Sequence, residues 1–155
     1  MKSIFPGLHI GPQSDYATVK DDPTWSVVRT GNEFFPDNAN TAESTAPVRE
    51  GKCLFVYLRD AVVELDIPVA PYETALKFIH EQLSTGQKVL IHCSQGVSRS
   101  ASIGMLYLAS RTDRFQRMSF EDAVDEYDRI FPPLHMGVAI RTFVKRNWDH
   151  FNRTA

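Results

Sequence analysis

The chain has little of several features that would assign it to a specialised class of protein. It contains only two cysteines, Cys53 and Cys93, which are too few for a disulfide framework. Basic residues number 17 against 19 acidic ones, so the formal net charge is −2 and no binding to nucleic acid or a membrane surface is expected. Apolar runs stay shorter than a membrane span, and Pro6-Gly7 interrupts the N-terminal one, so neither a transmembrane segment nor a signal peptide is expected.

The chain also lacks a pattern of metal ligands. Its histidines show no spacing typical of a metal site, so we expect neither a metal nor another cofactor; they stand at positions 9, 80, 92, 135 and 150. The 155 residues, 43% apolar and 23% charged, suit one domain with a sizeable core spanning residues 1–155. The low cysteine content favours a reducing, cytoplasmic setting.

The most informative stretch joins a short apolar run to a longer one. Residues 88–91 read as a buried strand and residues 101–109 as a buried helix. The loop between them begins with Cys93 and ends with Arg99. A loop over a helix N-terminus offers backbone N–H groups and the positive end of the helix dipole, and an arginine fork adds bidentate binding of phosphate oxygens. The stretch therefore predicts an anion site.

Cys93 has two interpretations in this loop. A lone cysteine after a buried strand is most often an inert small hydrophobe. In an anion-binding loop, the same positive field favours the thiolate, which becomes a nucleophile aimed at phosphorus. The second interpretation fits the full pattern better, and it predicts that phosphate is bound by Arg99 and by the loop residues Ser94, Gln95, Gly96, Val97 and Ser98.

The rest of the chain indicates an α/β fold. A continuous apolar run at 53–58, a helix from near Pro71 to Gly86 and the strand at 88–91 form a right-handed βαβ unit, which implies a mostly parallel sheet flanked by helices. Residues between about 30 and 52 are expected to form an irregular loop. The remaining predicted elements are strands at 8–11 and 25–29, a short helix at 13–19, a helix capped by Ser119 with Asp122 three residues on, and a last helix at about 136–148.

The string His92-Cys93-x5-Arg99-Ser100 resembles the signature of the cysteine-dependent protein tyrosine phosphatases. The flanking residues 96–102 and 118–123 are similar to the small dual-specificity branch of that family, as is the strand at 8–11. The resemblance extends from about Leu8 to about Trp148 and implies the α/β fold of that branch.

The resemblance also implies a two-step reaction with a role for each motif residue. Cys93 attacks phosphorus and forms a cysteinyl-phosphate, while Arg99 and the loop N–H groups hold the equatorial oxygens. Ser100 eases release of the thiolate; its hydroxyl could also cap the following helix, and the two roles are compatible. His92 orients the loop.

The family also supplies a general acid about thirty residues before the cysteine, and two aspartates qualify here. Asp60 directly follows a buried strand, which puts it at the carboxyl end of the sheet with Cys93. Asp66 remains the alternative, although Asp66-Ile67 resembles a second Asp-Ile pair that family members often carry. We predict that Asp60 is the acid.

The interior of the loop contains no lysine or arginine, which the phosphoinositide phosphatases of the superfamily typically place there. The expected substrates are therefore phosphotyrosine and phosphoserine/threonine of a phosphorylated protein. Two alternatives stay open: a catalytically weak phosphopeptide-binding module, and a phosphatase for a non-protein phosphate such as a lipid, a nucleotide or an RNA end. The sequence leaves the oligomeric state undetermined.

Overall fold

The computed structural model describes residues 1–36, 46–58 and 67–152, and it has a six-stranded mixed sheet at its centre. The spatial order of the strands is β1-β2-β6-β3-β5-β4, with the inner four parallel and the two edge strands antiparallel to their neighbours. The strands are β1 (Lys2–Phe5), β2 (Leu8–Gly11), β3 (Trp25–Thr30), β4 (Val48–Glu50), β5 (Cys53–Val56) and β6 (Lys88–His92). The predicted mostly parallel sheet is confirmed.

Helices cover both faces of the sheet, but unequally. Along β3, Val28 faces the main core while Val27 joins Val19 of α1 and Leu90 in a smaller apolar cluster on the other face. The main core lies beneath the longer helices, of which α3 is buried from Arg99 to Ala109. The helices are α1 (Ser14–Val19), α2 (Ala70–Ser84), α3 (Arg99–Arg111), α4 (Phe120–Ile130), α5 (Val138–Arg146) and α6 (Trp148–Phe151).

The parallel strands bring distant parts of the chain to one edge. The carboxyl ends of β2, β3, β5 and β6 point the same way, so the segments that follow them meet there. These segments are the turn at Gly11-Pro12, a 3-10 helix at Asn32–Phe34, residues 57–58 and the loop that begins at Cys93. This edge holds the candidate site.

Several boundaries differ from those expected. The segment expected to be irregular, about 30–52, contains the 3-10 helix near one end and β4 near the other, while residues 37–45 lie outside the described part. The predicted helix at 136–148 is shorter and is followed by the separate helix α6, because Asn147 interrupts it. The expected cap of α4 is confirmed, since the Asp122 N–H donates to Ser119 Oγ at 3.1 Å.

No helix within the described residues is long and apolar enough to cross a membrane.

Candidate active site

The loop of residues 93–98 joins β6 to α3 and holds a buried thiol. Cys93 is only 3% exposed. Its Sγ lies 3.2 Å from Ser100 Oγ in the first turn of α3, and the Gly96 N–H donates to the same sulfur at 3.2 Å. One backbone N–H and one hydroxyl group thus contact the same sulfur. The structure therefore brings Cys93, Gly96 and Ser100 together.

A tight contact with the β2 turn fixes the shape of the loop. Gly96 has a φ of +74°, and a Cβ at this position would collide with the backbone of Gly11. The Gln13 N–H donates to the Ser94 carbonyl at 3.1 Å, which ties the first half of the loop to the same turn. Only glycine can adopt this φ and also pack this closely against the backbone of Gly11, which explains why the loop has glycine at position 96.

The second half of the loop is held by the segment between α4 and α5. The His135 N–H donates to the Val97 carbonyl at 2.8 Å, and the Gly137 N–H donates to Ser98 Oγ at 2.9 Å. Gln95 lies between the two anchors and is exposed. The loop is thus clamped from both sides by backbone donors.

Ser100 does not cap the helix, contrary to one of its two interpretations. Helix α3 begins at Arg99, so Ser98 occupies the cap position and Ser100 lies within the first turn. The Ser100 side chain faces Cys93 instead. Its hydroxyl is therefore available to the sulfur.

The guanidinium of Arg99 is buried and is held on one edge by protein groups. Nη1 lies 2.5 Å from Glu33 Oε1 and donates to the Leu58 carbonyl at 3.2 Å, while Nη2 donates to Glu33 Oε2 at 3.2 Å. Glu33 also accepts from Ser94 Oγ at 3.4 Å. A bidentate carboxylate pair of this kind fixes the plane of the fork.

The contacts of Arg99 leave the other edge of the guanidinium for a ligand. An arginine carries five N–H donors, and the contacts to Glu33 and Leu58 use Nη1 twice and Nη2 once. Nε–H and the second Nη2–H have no partner among the residues the structure describes. These two parallel donors match the spacing of two phosphate oxygens.

Sequence reasoning missed Glu33. It lies 66 positions before Arg99, in the stretch expected to be irregular. The one local signal is Gly31, where a Cβ would overlap the side chains of both Glu33 and Arg99. A glycine and a carboxylate two residues apart after a buried strand are too common to identify such a contact from sequence.

Replacing Glu33 with glutamine should weaken the site. The Glu33→Gln substitution places an amide N–H against one Nη of Arg99, so one hydrogen bond and the ionic attraction are lost. Hydrogen bonds to charged groups contribute about 1.5–3 kcal/mol, and the lower end applies because the Glu33 side chain is 40% exposed. We expect kcat/KM for a phosphomonoester to fall about tenfold.

The matched control for Glu33→Gln is Glu50→Gln on β4, because Glu50 is exposed and far along the chain from the loop. It should leave kcat/KM as it is in the unmodified protein. Equal activities for the two variants would show that the carboxylate of Glu33 does not support Arg99.

His92 is fully buried beside the loop. Its Nδ1 lies 3.4 Å from the Cys93 carbonyl, and burial lowers the pKa of His92 to about 4. The imidazole is therefore neutral near pH 7, and it contacts the backbone of Cys93 rather than its sulfur. This placement is compatible with the orienting role that the family resemblance implies for His92.

The second cysteine lies away from this site. Cys53 on β5 is level with Val27 on β3, which is level with Leu90 on β6. Cys53 is therefore two strands away from the β6 strand that leads into Cys93, and its level in the sheet is that of Leu90, three residues before Cys93. These offsets correspond to a Cα separation of about 14 Å, twice the limit of about 7 Å for a disulfide. Burial also raises the pKa of the Cys53 thiol to about 12. Cys53 is a packing residue of the sheet.

Both candidates for the general acid, Asp60 and Asp66, lie outside the described residues. The described chain stops at Leu58 and resumes at Ile67. The carbonyl of Leu58 accepts a hydrogen bond from Arg99. The choice between the two aspartates therefore remains a prediction.

A loop that begins with a buried thiol and joins a parallel strand to a buried helix is the arrangement expected of the cysteine-dependent phosphatases. A family model described as "Dual specificity phosphatase, catalytic domain" matches residues 60–130. The chain is 29% identical over 133 residues to dual specificity protein phosphatase 22 of Homo sapiens, an alignment covering 80% of this chain and 60% of that protein. It is 53% identical over 109 residues to dual specificity protein phosphatase 26 of Mus musculus, covering 68% of this chain and 49% of that protein.

A solved structure shows the same fold over nearly the whole chain. The crystal structure of human tyrosine phosphatase-like serine/threonine/tyrosine-interacting protein superimposes with a TM-score of 0.69 at 20% identity, covering 97% of each chain. The family model, the relatives and the shared fold together support a place for this chain among the dual-specificity phosphatases. The chain spans about half to 60% of the length of these two curated relatives.

Proposed function

We propose that this protein hydrolyses phosphomonoesters through a covalent intermediate on Cys93. The observation that carries the proposal is the arrangement at the loop: a buried sulfur that accepts from Gly96 N–H and contacts Ser100 Oγ, beside an arginine with one free edge. Such a site binds a tetrahedral dianion and presents a nucleophile to its centre.

The proposed first step transfers the phosphoryl group to sulfur. The Cys93 thiolate attacks phosphorus in line with the leaving oxygen, so that an S–P bond forms as the O–P bond breaks. Nε–H and Nη2–H of Arg99 and the loop N–H groups bind the three equatorial oxygens, where negative charge lies in the transition state. Asp60 gives its proton to the leaving oxygen.

The proposed second step returns the enzyme to its starting state. Asp60, now a carboxylate, takes a proton from water as the water oxygen attacks phosphorus, and the S–P bond breaks. Ser100 Oγ, 3.2 Å from the sulfur, donates a hydrogen bond to the departing thiolate. His92 keeps the Cys93 backbone in place throughout.

The proposed substrates are phosphotyrosine and phosphoserine/threonine in a protein. Residues 94–98 are uncharged, so the loop offers no cation beyond Arg99 for a second phosphate. A monoester with a single phosphate fits this charge, whereas an inositol polyphosphate demands further cations. The curated relatives are named as dual specificity protein phosphatases, which supports the same assignment.

A panel of phosphorylated compounds tests the substrate class. We expect kcat/KM for phosphotyrosine and phosphothreonine peptides to exceed that for an inositol phosphate, a nucleotide and a 5′-phosphorylated RNA by about tenfold or more. That ratio corresponds to about 1.4 kcal/mol, the cost of one unmet charge-assisted contact. Phosphate release is measured with each compound at equal concentration, with Cys93→Ser as the control for contaminating activity. A preference for any of the three non-protein compounds would refute the protein substrate.

We propose further that the protein works in a reducing, intracellular setting on a phosphorylated protein partner. The reaction needs Cys93 as a thiolate, and Cys53 is too distant to protect it as a disulfide. A reducing compartment keeps such a thiol available. Fractionation of cells with an antibody to the chain checks the location.

A further inference from the structure

A hydrogen bond from a strand arginine reaches the histidine of the signature. Arg29 on β3 is the register partner of His92 on β6, and its Nε donates to His92 Nε2 at 3.1 Å. His92 is wholly buried, whereas Arg29 is half-buried. The two side chains lie on the α1 face of the sheet, the side that carries the smaller apolar cluster.

This hydrogen bond determines where the imidazole proton lies. Arginine is always protonated, so its Nε–H can only donate. His92 Nε2 must therefore accept, and in the neutral ring the proton then resides on Nδ1. Nδ1 lies 3.4 Å from the Cys93 carbonyl oxygen, which can accept that proton in a hydrogen bond. The arginine thus selects the tautomer that contacts the backbone of the nucleophile.

Aromatic rings hold the guanidinium in the orientation that this contact requires. The Arg29 Cζ lies 3.8 Å from the ring centroid of Tyr16 and 5.1 Å from that of Phe34. The same two rings pack against His92, at centroid distances of 5.6 and 4.9 Å. Stacking on aromatic faces immobilises a planar guanidinium, which lowers the entropy cost of aiming Nε at one acceptor.

We propose that Arg29 is a positioning residue that keeps His92 as the neutral Nδ1–H tautomer and so fixes the Cys93 backbone at the start of the phosphate loop. Its effect on catalysis rests on the proposed function, but its effect on the tautomer does not. No part of the sequence signature or of the family match at residues 60–130 includes Arg29.

The charges around His92 agree with a neutral ring. Burial is the main cause of its lowered pKa of about 4, and the Arg29 charge acts in the same direction. The Cys93 backbone contact and the carboxylates of Asp15 and Glu33 act in the opposite direction without overcoming burial. His92 therefore remains uncharged through neutral pH.

Two substitutions at Arg29 distinguish the effect of its hydrogen bond to His92 from the effect of its positive charge. Glutamine places its amide nitrogen the same number of bonds from Cα as the arginine Nε, so Arg29→Gln keeps a donor for His92 and removes the charge. Arg29→Met keeps the volume of the stem and removes both. Arg49→Gln is the matched control. The exposed Arg49 also donates its Nε in one hydrogen bond, to the Gly51 carbonyl, and its guanidinium also lies over an aromatic ring, that of Phe78.

The measurement is the tautomer of His92, read from the ¹⁵N chemical shifts of its ring near pH 7 in the ligand-free protein. We expect only the Nδ1–H tautomer in the unmodified protein, in Arg29→Gln and in Arg49→Gln. In Arg29→Met a population of the Nε2–H tautomer should appear. The kcat of Arg29→Met for a phosphotyrosine peptide should fall about 5- to 10-fold, the effect of one lost hydrogen bond, and that of Arg29→Gln should fall less.

Either of two results would overturn the inference. One is an unchanged Nδ1–H tautomer in Arg29→Met, whatever its activity. The other is an equal loss of kcat in Arg29→Gln and Arg29→Met while Arg29→Gln keeps the tautomer, since the charge and not the hydrogen bond would then matter. An inactive unmodified protein with the expected tautomer would refute the proposed function alone, so the two failures are distinguishable. Amide spectra of each variant establish that it is folded.

Discussion

Cys93→Ser is expected to lower kcat for a phosphotyrosine peptide by at least about 10⁴-fold, the scale of loss when a covalent nucleophile is removed. The hydroxyl that replaces the thiol is not ionised near neutral pH, and the described residues place only Gly96 N–H and Ser100 Oγ against it. Neither group removes its proton. Steady-state phosphate release measures the loss.

The matched control for this variant is Cys53→Ser, the same substitution in the sheet and two strands away from the loop. Cys53→Ser should keep kcat near that of the unmodified protein. Cys93→Ser should still bind phosphopeptide, because Arg99 and the backbone donors of the loop are unchanged. A Cys93→Ser protein that turns over at a substantial rate would mean that another group attacks phosphorus.

Asp60→Asn should lower kcat by about 10²–10⁴-fold for a phosphopeptide, which has a poor leaving group that needs a proton. With an activated aryl phosphate the loss should be much smaller, because the phenolate then departs without a proton. A defect in folding or binding would lower kcat for both substrates, so comparing them identifies a loss of proton donation. The difference between the two losses is the expected signature of a general acid.

Asp66→Asn is the natural comparison, since Asp66 is the other aspartate in the same segment. It should show similar losses for the two substrates, and both losses should be small. If Asp66→Asn cripples peptide hydrolysis and spares the aryl phosphate while Asp60→Asn does neither, the acid is Asp66.

The core of the site could be predicted from sequence because its residues are neighbours in the chain. An apolar strand, a Cys-x5-Arg loop and a buried helix follow one another within residues 88–111, and each is recognisable by local pattern. The structure places Cys93, Gly96 and Ser100 in contact as that pattern implies. The resemblance to a known family added roles to these residues.

The partners that hold the loop could not be predicted, because they come from strands far away in sequence. Glu33 is 66 residues from Arg99, and Arg29 is 63 residues from His92. Both contacts depend on β3 lying next to β6 and on the register between them. No local periodicity reports the order of strands in a sheet, so such pairs become visible only in three dimensions.

The errors in element boundaries have different, local causes. The apolar run at 53–58 continues beyond the strand, which ends at Val56, since apolar residues also fill the loop packed over the core. The last predicted helix breaks at Asn147, whose side chain donates to the Phe143 carbonyl at 2.9 Å. This local hydrogen bond competes with the helical pattern, although the flanking residues suit a helix.

The covalent intermediate on Cys93 is the central claim, and its capture tests that claim most directly. The unmodified protein is mixed with a phosphotyrosine peptide, quenched within milliseconds, digested, and examined by mass spectrometry for a phosphorylated peptide. The account predicts one phosphoryl group on the peptide that contains Cys93, absent from Cys93→Ser and present in Cys53→Ser. Turnover with no phosphorylated cysteine under these conditions, or with the phosphoryl group on another residue, would contradict it.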